Sequence, residues 1–267
     1  MRLRSSVLAV LLPAVLSLPL LAATEASAAV TYNVRGTVTC PGGYPVSGVY
    51  LHSSGGGSAF ASWTAYPGAS NIARFSKSFS TRLSTTIYFS VGCGRGSAPG
   101  SWKTSNASPK VTVSSGSIYY TNAECNARGT CSYFPMEDNR PAAPSTNVVK
   151  DRTQCTYRAG EFWKLMTKRY PNWGGNGGYW DDNAKAVGWS VRAWPRINSL
   201  FVKQPTSSNP AGHVGYVADV RVYNGALQMK IYDRNYDFRG SDRNGTWIAW
   251  TSSMRFIVPP GRAGELR

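Results

Sequence analysis

Apolar and polar residues alternate in short segments through the first half of the chain. The segments "VTYNVRGTVTC", "PVSGVYL", "ARFSKSFS", "TTIYFSVGC" and "PKVTVSS" follow this pattern, and Gly, Pro, Asn and Ser stand between them. Such alternation is typical of strands with one buried face, and short strands at this spacing indicate an antiparallel sandwich. We therefore predict an antiparallel β-sandwich over residues 30–133.

The hydrophobic period changes after a proline-rich stretch at 134–147, "FPMEDNRPAAPSTN", which has the composition of a semi-extended linker. In "CTYRAGEFWKLMTKRY" apolar residues recur at steps of three and four, which predicts a helix capped by Asp151 or Thr153. A second helix is predicted in "YWDDNAKAVGW", and strand-like alternation then returns. The pattern predicts an α+β domain at 148–260, with helices followed by an antiparallel sheet, and a tail at 261–267.

The first residues differ from both halves. Arg2 and Arg4 precede an apolar run, and a small-residue A-x-A motif ends at Ala28, which together are the parts of a secretory signal. The alternative, a permanent membrane span, is disfavoured by the prolines in the run and by the lack of a basic stop-transfer cluster. We predict a signal peptide at 1–29 and a secreted protein that is extracellular or associated with the cell wall.

The chain is strongly basic, with a formal net charge of +16. Such an excess attracts polyanionic surfaces over long range. For a secreted protein, anionic cell-wall polymers or phospholipid headgroups fit this charge better than nucleic acid does. High charge also serves solubility, so charge alone does not choose a partner. We expect no nucleic acid, no membrane span and a monomer.

Five cysteines leave one thiol over if the others form disulfides in an oxidising compartment. Cys40 ends one strand-like run and Cys93 ends another, while Cys125 and Cys131 flank the short loop "NARGT". Of the three possible pairings we therefore favour Cys40–Cys93 with Cys125–Cys131. Cys155 remains, either as a buried inert thiol or as a nucleophile.

A nucleophilic role for Cys155 fits its place near the start of the predicted helix, where unpaired N–H groups and the positive helix end favour a thiolate. Attack on an amide also needs a histidine and a group that orients it. The second domain contains one histidine, His213, and the next strand offers Asp233 and Asn235. A strict two-residue turn at 224–225 would put Asp233 on the other face from His213. The hairpin must therefore carry an odd loop or a bulge, and we favour a three-residue loop.

The segments "QCTYRAGEFW", "NGGYWDDNAKAVGW", "GHVGYVADV" and "IYDRNYD" occur in the order and approximate spacing of the CHAP family, the cysteine, histidine-dependent amidohydrolases/peptidases. The resemblance covers residues 148–260. It implies a papain-like architecture and hydrolysis of bacterial peptidoglycan through a thioester. It also implies Cys155 as the nucleophile, His213 as general base and acid, and Asp233 and Asn235 at the polar positions that follow.

Further site residues come partly from this resemblance and partly from the residue types themselves. Gln154 precedes the cysteine as it often does in the family, and the backbone N–H of Cys155 is expected in the oxyanion hole. Trp180 and Trp194 are candidates for a groove that binds sugar or peptide. Arg158 departs from the family pattern beside the thiol, which puts substrate preference in question. Without a loop of spaced aspartates, we predict no metal and no cofactor.

The first half resembles, more weakly, the transthyretin-like and carboxypeptidase-regulatory-like sandwich modules of secreted proteins, and it shows no catalytic constellation.

From the CHAP resemblance of the second half we predict a secreted N-acetylmuramoyl-L-alanine amidase or peptidoglycan endopeptidase. Two alternatives stay open: a non-catalytic wall-binding or structural protein on a degenerate CHAP scaffold, and a secreted amidase with another target. A zinc site is disfavoured because the second domain has one histidine and one cysteine, and no G-x-S-x-G motif supports a serine hydrolase.

Overall fold

The structure is a computed structural model of the chain, and it describes residues 29–81, 85–96, 102–108, 110–113, 118–128, 130–133, 144–259 and 264–266. The predicted signal peptide, apart from its last residue, and most of the predicted linker lie outside these residues. Within them the protein is mostly β-sheet with two short α-helices. No helix of this described part is long and apolar enough to cross a membrane.

The first half forms two sheets around one buried core. Its strands are β1 (Val30–Thr39), β2 (Val46–Ser53), β3 (Ala59–Phe60), β4 (Ser62–Tyr66), β5 (Ala69–Thr81), β6 (Thr85–Cys93), β7 (Thr104–Ala107), β8 (Val111–Val113), β9 (Ile118–Cys125) and β10 (Cys131–Tyr133). One sheet has the order β10-β9-β1-β5-β4, and the other has the order β3-β2-β6-β7 with β8 also on β6. Tyr32 and Phe75 of the first sheet and Leu51 and Phe89 of the second are fully buried together.

Two features of the first sheet differ from the prediction. β1 and β9 are parallel, so an entirely antiparallel sandwich is wrong for this pair. The long chain between them runs through the second sheet, which leaves the direction of β9 free, whereas a tight hairpin would have fixed it. The predicted tail also contributes a strand, β17 (Gly264–Leu266), which pairs with β9.

Both favoured cysteine pairs lie at bonding distance. The Cα atoms of Cys40 and Cys93 are 5.6 Å apart, and those of Cys125 and Cys131 are 3.8 Å apart. Because Cys40 follows β1 and Cys93 ends β6, the first pair joins the two sheets. Cys155 is the free cysteine.

The second half is one six-stranded antiparallel sheet with a helix packed on it. Its elements are α1 (Cys155–Thr167), α2 (Trp180–Ala186), β11 (Ser190–Arg192), β12 (Ser199–Lys203), β13 (His213–Tyr223), β14 (Ala226–Arg234), β15 (Asp242–Ala249) and β16 (Arg255–Val258), and the strand order is β11-β16-β12-β13-β14-β15. Ala159 and Trp163 of α1 are buried in one cluster with Val214 and Tyr216 of β13. A papain-like layout of this half stays a prediction.

The β13–β14 hairpin has a two-residue turn and a bulge, so the favoured three-residue loop is wrong and the bulge is the alternative that holds. Asn224 and Gly225 both have positive φ, as Asn-Gly turns of this kind require. Asp219 lies opposite Lys230, whereas Val217 lies opposite Ile231. Ala218 is therefore the extra residue.

The two halves share a packed junction. Tyr66 and Ile72 of the first half lie in the same buried cluster as Phe201 and Ile231 of the second. The side chain of Arg196 is 3% exposed there. The junction therefore combines apolar packing with buried polar contacts.

Candidate active site

The nucleophile candidate is the first residue of α1. Gln154 precedes it in extended conformation as the N-cap, and no side chain caps the helix. Asp151, one of the two predicted caps, instead accepts hydrogen bonds from the Thr153 amide and from Nε2 of Gln154, each at 2.9 Å. The capping prediction is therefore wrong, and the N–H groups of the first turn keep no acceptor within the helix. The helix ends at Thr167 because the next residue takes a left-handed conformation.

His213 begins β13 and lies between the thiol and a carboxylate. Its Nε2 is 2.8 Å from Oδ2 of Asp233, and the Cys155 side chain is close enough to act on the ring by hydrogen bonding and charge. Since Nε2 faces the carboxylate, Nδ1 is the nitrogen left for sulfur. Burial lowers the pKa of His213, but the hydrogen bonds to Asp233 and Cys155 and the charges of both outweigh it, so the pKa is raised above its ordinary value. The site therefore favours an imidazolium.

Asp233 reaches His213 because of the bulge. On the N-terminal side of Ala218, Tyr216 pairs with Tyr232. The same register places Asp233 opposite Gly215, on the histidine's face. Without the extra residue it would lie opposite Tyr216, on the other face. A Cβ added to Gly215 would approach Cβ of Asp233 to 2.6 Å, so only glycine leaves room for the carboxylate there.

A second partner holds the same carboxylate. Arg243 of β15 lies directly opposite Asp233, and its Nε donates to Oδ1 at 2.9 Å while its second terminal nitrogen donates to Oδ2. Burial raises the pKa of Asp233, but the hydrogen bonds and charges of His213 and Arg243 outweigh it, and the pKa lies below its usual range. Asp233 is therefore a fixed anion between an imidazole and a guanidinium. The sequence reasoning missed Arg243, although pairing β14 with β15 would have found it.

Lys203 adds a further cation beside the triad of Cys155, His213 and Asp233. It lies opposite His213 on the neighbouring strand β12. Burial lowers the pKa of Lys203, the charge of Arg243 lowers it further, and Asp233 opposes both. The surroundings of the triad therefore carry excess positive charge, which suits a substrate with anionic groups.

Asn235, the other candidate for orienting the ring, faces elsewhere in the structure. Its backbone is left-handed, with φ of 55°, and its Oδ1 accepts the Gly240 amide at 2.9 Å. Its Nδ2 donates to Oε1 of Gln154 at 3.5 Å. Asn235 and Asp151 thus hold the Gln154 side chain between them, at the start of α1. A contribution of Gln154 to the oxyanion hole stays a prediction.

Trp180 and Trp194, which were predicted to line a ligand groove, pack against other parts of the protein. Trp180 is fully buried, and its ring nitrogen donates to the carbonyl of Gly175. Trp194 stacks on Trp250 with ring centroids 4.2 Å apart and lies beside Tyr66 at the junction of the halves. Both tryptophans have structural packing that explains them without a ligand.

A shallow apolar cavity lies beside the start of α1. It has a volume of about 350 Å³ and is lined by Tyr157, Arg158, Glu161, Phe162, Leu165 and Arg234. Asp242 of β15 accepts hydrogen bonds from both arginines, at 2.5 Å from Arg158 and 2.8 Å from Arg234. The ion pair with Arg158 connects the helix surface next to the thiol to β15, the edge strand of the sheet.

Residues 145–235 match the family model of the CHAP domain, which confirms the resemblance read from the sequence. The second half of the chain therefore contains a CHAP domain, and this class comprises hydrolases, typically amidases or peptidases, that act on peptidoglycan. The match includes Cys155, His213 and Asp233 and ends before Arg243. A comparison with curated proteins gave no match. In the described part of the chain, no group of three or more His, Cys, Asp or Glu side chains is placed to hold a metal ion.

Proposed function

We propose that this protein is a secreted, cysteine-dependent peptidoglycan hydrolase that cleaves a cell-wall amide bond. The observation that carries the proposal is the constellation at the start of α1: a free thiol, a histidine ring beside it that interacts with the thiol, and a buried carboxylate on the other side of the ring. Nucleophile, proton carrier and orienting group are the three parts that amide hydrolysis by a thiol requires.

In the first step, the Cys155 thiolate attacks the carbonyl carbon and forms a C–S bond. The oxyanion that develops faces the free amide N–H at the start of α1, where the helix end favours negative charge. The His213 imidazolium then gives its proton to the leaving nitrogen as the C–N bond breaks, which leaves a thioester and a neutral ring.

In the second step, water attacks the thioester while His213 takes a proton from it. The C–S bond breaks, the carboxylic acid leaves, and the thiolate–imidazolium pair is restored. Asp233 keeps Nε2 of the ring protonated and fixed throughout, because Arg243 holds the carboxylate from its other side.

The substrate side of the proposal rests on charge. Peptidoglycan stem peptides carry carboxylates, and the site offers Lys203 together with the arginines of the adjacent cavity. The chain's net charge of +16 supports additional attraction to anionic wall polymers. Export through the predicted signal peptide would bring the protein to that substrate, and N-terminal mass spectrometry of the secreted form should find a start at Ala29 or Val30.

Release of amine ends from purified peptidoglycan tests the proposal. Wild type should release them, Cys155→Ala should not, and His52→Gln, which alters the other histidine of the chain, should match wild type. Equal release by wild type and Cys155→Ala, or none from either, would count against the enzyme. Binding to sacculi without release would favour the non-catalytic wall-binding alternative.

Mass spectrometry of the released fragments then identifies the bond. An amidase frees the amino terminus of L-alanine from muramic acid, whereas an endopeptidase frees an amine within the stem or cross-bridge peptide. Activity on other amides but none on peptidoglycan would instead favour a different target.

A further inference from the structure

The bulge in β13 decides whether the triad assembles. Asp233 meets His213 only because Ala218 stands outside the regular ladder. A slip that drew Ala218 into the ladder would turn Asp233 to the opposite face of β14. Catalysis by the proposed triad thus depends on a local irregularity that must be held in place.

The residue after the bulge is held by the first half of the chain. Oδ1 of Asp219 accepts its neighbour's amide, Val220 N–H, at 2.8 Å, and also Nε of Arg74 at 3.2 Å. Oδ2 accepts a terminal nitrogen of Arg35 at 3.3 Å. The Asp219 side chain is only 14% exposed. Its carboxylate therefore supplies an acceptor beside the interrupted ladder and is itself fixed by two cations.

The two arginines come from neighbouring strands of the sandwich. Arg35 lies on β1 and Arg74 on β5, which pair directly. Because β5 also carries Ile72 of the apolar junction and pairs along its length with β1, both guanidinium groups reach Asp219 from a fixed sheet. The contact is specific to the bulge, since the residue they hold lies next to the extra position.

We propose that Arg35 and Arg74 are positioning residues for the active site, which act through Asp219 to keep the bulge at Ala218 and so keep Asp233 on His213. This inference rests on the proposed function. It assigns the first half a part in catalysis, beyond any binding to the wall.

The full chain with Arg35→Gln and Arg74→Gln tests the proposal. Without these two ion pairs, β13 should shift mainly to the register in which Ala218 joins the ladder. If only about one molecule in 10 to 100 keeps Asp233 on His213, kcat falls by about 10- to 100-fold. Both arginines are partly exposed, at 34% and 27%, so the variant should retain its fold. Release of amine ends from peptidoglycan gives kcat.

A second readout needs no substrate. The chain has two histidines, so NMR titration resolves each ring. The groups that face His213 are Cys155 on α1, Lys203 on β12, Asp233 on β14 and, behind the carboxylate, Arg243 on β15. Loss of the Asp233 contact should lower the pKa of His213. His52, which stacks on Tyr88 in the other sheet of the sandwich, should keep its titration as an internal reference.

Glu124→Gln is the matched control. Glu124 accepts two hydrogen bonds from Arg192 across the same junction, at 2.8 and 2.9 Å, but does not contact the bulge. This variant should lower the melting temperature while kcat and the His213 titration stay as in wild type. A similar loss of kcat in both variants would mean that the junction acts through general stability, which would overturn the proposal.

Deletion of Ala218 provides a rescue. It joins Val217 to Asp219 in a regular ladder and keeps every observed pair of β13 with β14, so the register no longer needs a clamp. The two arginine changes should then cost nothing in kcat, and a further loss in this background would contradict the proposal. So would an unchanged kcat and His213 titration when the arginines are changed in the natural chain. If wild type releases no amines the proposed function fails, but the His213 titration still tests the clamp.

Discussion

Replacing Arg243 by glutamine removes the guanidinium fork that holds the Asp233 carboxylate. The guanidinium makes two hydrogen bonds to Asp233, whose side chain is fully buried, while the arginine itself is 17% exposed. Because water does not reach the carboxylate, the lost bonds are not replaced.

The expected cost follows from burial and charge. Hydrogen bonds to charged groups contribute about 1.5–3 kcal/mol each, and removing one partner of a buried ion pair costs about 3–5 kcal/mol. Asp233 keeps His213 as a partner and Arg243 is partly exposed, so we take the lower end, about 3 kcal/mol. For a chain of this size that corresponds to a fall in melting temperature of roughly 6–12 °C.

The same change should move the pH profile in a defined direction. Without the guanidinium, the charge of Asp233 acts on His213 alone and favours the imidazolium, so the pKa of His213 rises further. The alkaline limb of kcat/KM, which reports loss of that proton, should therefore shift to higher pH. Arg243→Lys, which keeps the charge without the fork, should shift the limb less.

Urea unfolding and the pH dependence of kcat/KM measure these two effects. Arg239→Gln, a change at an exposed arginine of the β14–β15 loop, is the control and should leave both unchanged. An unfolding change below about 1 kcal/mol for Arg243→Gln, together with an unmoved alkaline limb, would refute the fork as the support of the carboxylate.

Three further predictions concern the site and the disulfides. Gly215→Ala should cost about 1–3 kcal/mol by overpacking and lower kcat, because its Cβ would press Asp233 away from the ring; thermal unfolding and peptidoglycan hydrolysis measure both. Since folding raises the pKa of His213, its contribution to stability is fully present below pH 6.5 and is lost as pH rises through the raised value. In Asp233→Asn that loss should move to lower pH, as urea unfolding from mildly acidic to mildly alkaline pH would show. Thiol titration of the denatured, unreduced protein should find one thiol per chain, Cys155.

Controls for these predictions are available in the same chain. Gly174→Ala adds a Cβ that meets only ordinary contact, 3.7 Å from Val148, and should be nearly neutral. A wild-type His213 titration in Asp233→Asn would contradict the assigned hydrogen bond. More than one thiol in the denatured protein would contradict the cysteine pairing.

The placement of the triad shows how far the sequence could lead. The need for a bulge or odd loop followed from the alternation of side chains alone, because Asp233 and His213 must share a face. The choice between a bulge and an odd loop did not follow from the sequence. Asn224-Gly225 is compatible with a two-residue turn, and the bulge lies six residues away at Ala218. Its position depends on Asp219 and on strands distant in sequence.

Long-range pairing accounts for most of the other differences. Nothing local indicated that β9 would run parallel to β1, or that the tail would return to pair with β9. Trp180 looked available for ligands because its spacing did not reveal that it lies on the buried face of α2, with Asp181 and Ala184. Periodicity identifies an element and its buried face, but contacts between remote elements decide what covers that face.

The junction between the halves limits how this chain can be divided. The buried guanidinium of Arg196 donates to the Thr39 hydroxyl at 3.0 Å, and Tyr66 donates to the carbonyl of Pro195. A fragment cut at residue 148 would strand that cation and open an apolar patch where Tyr66 and Ile72 now sit. We therefore expect the CHAP half to lose solubility when it is cut from the sandwich, so fusion proteins built from it should include both halves.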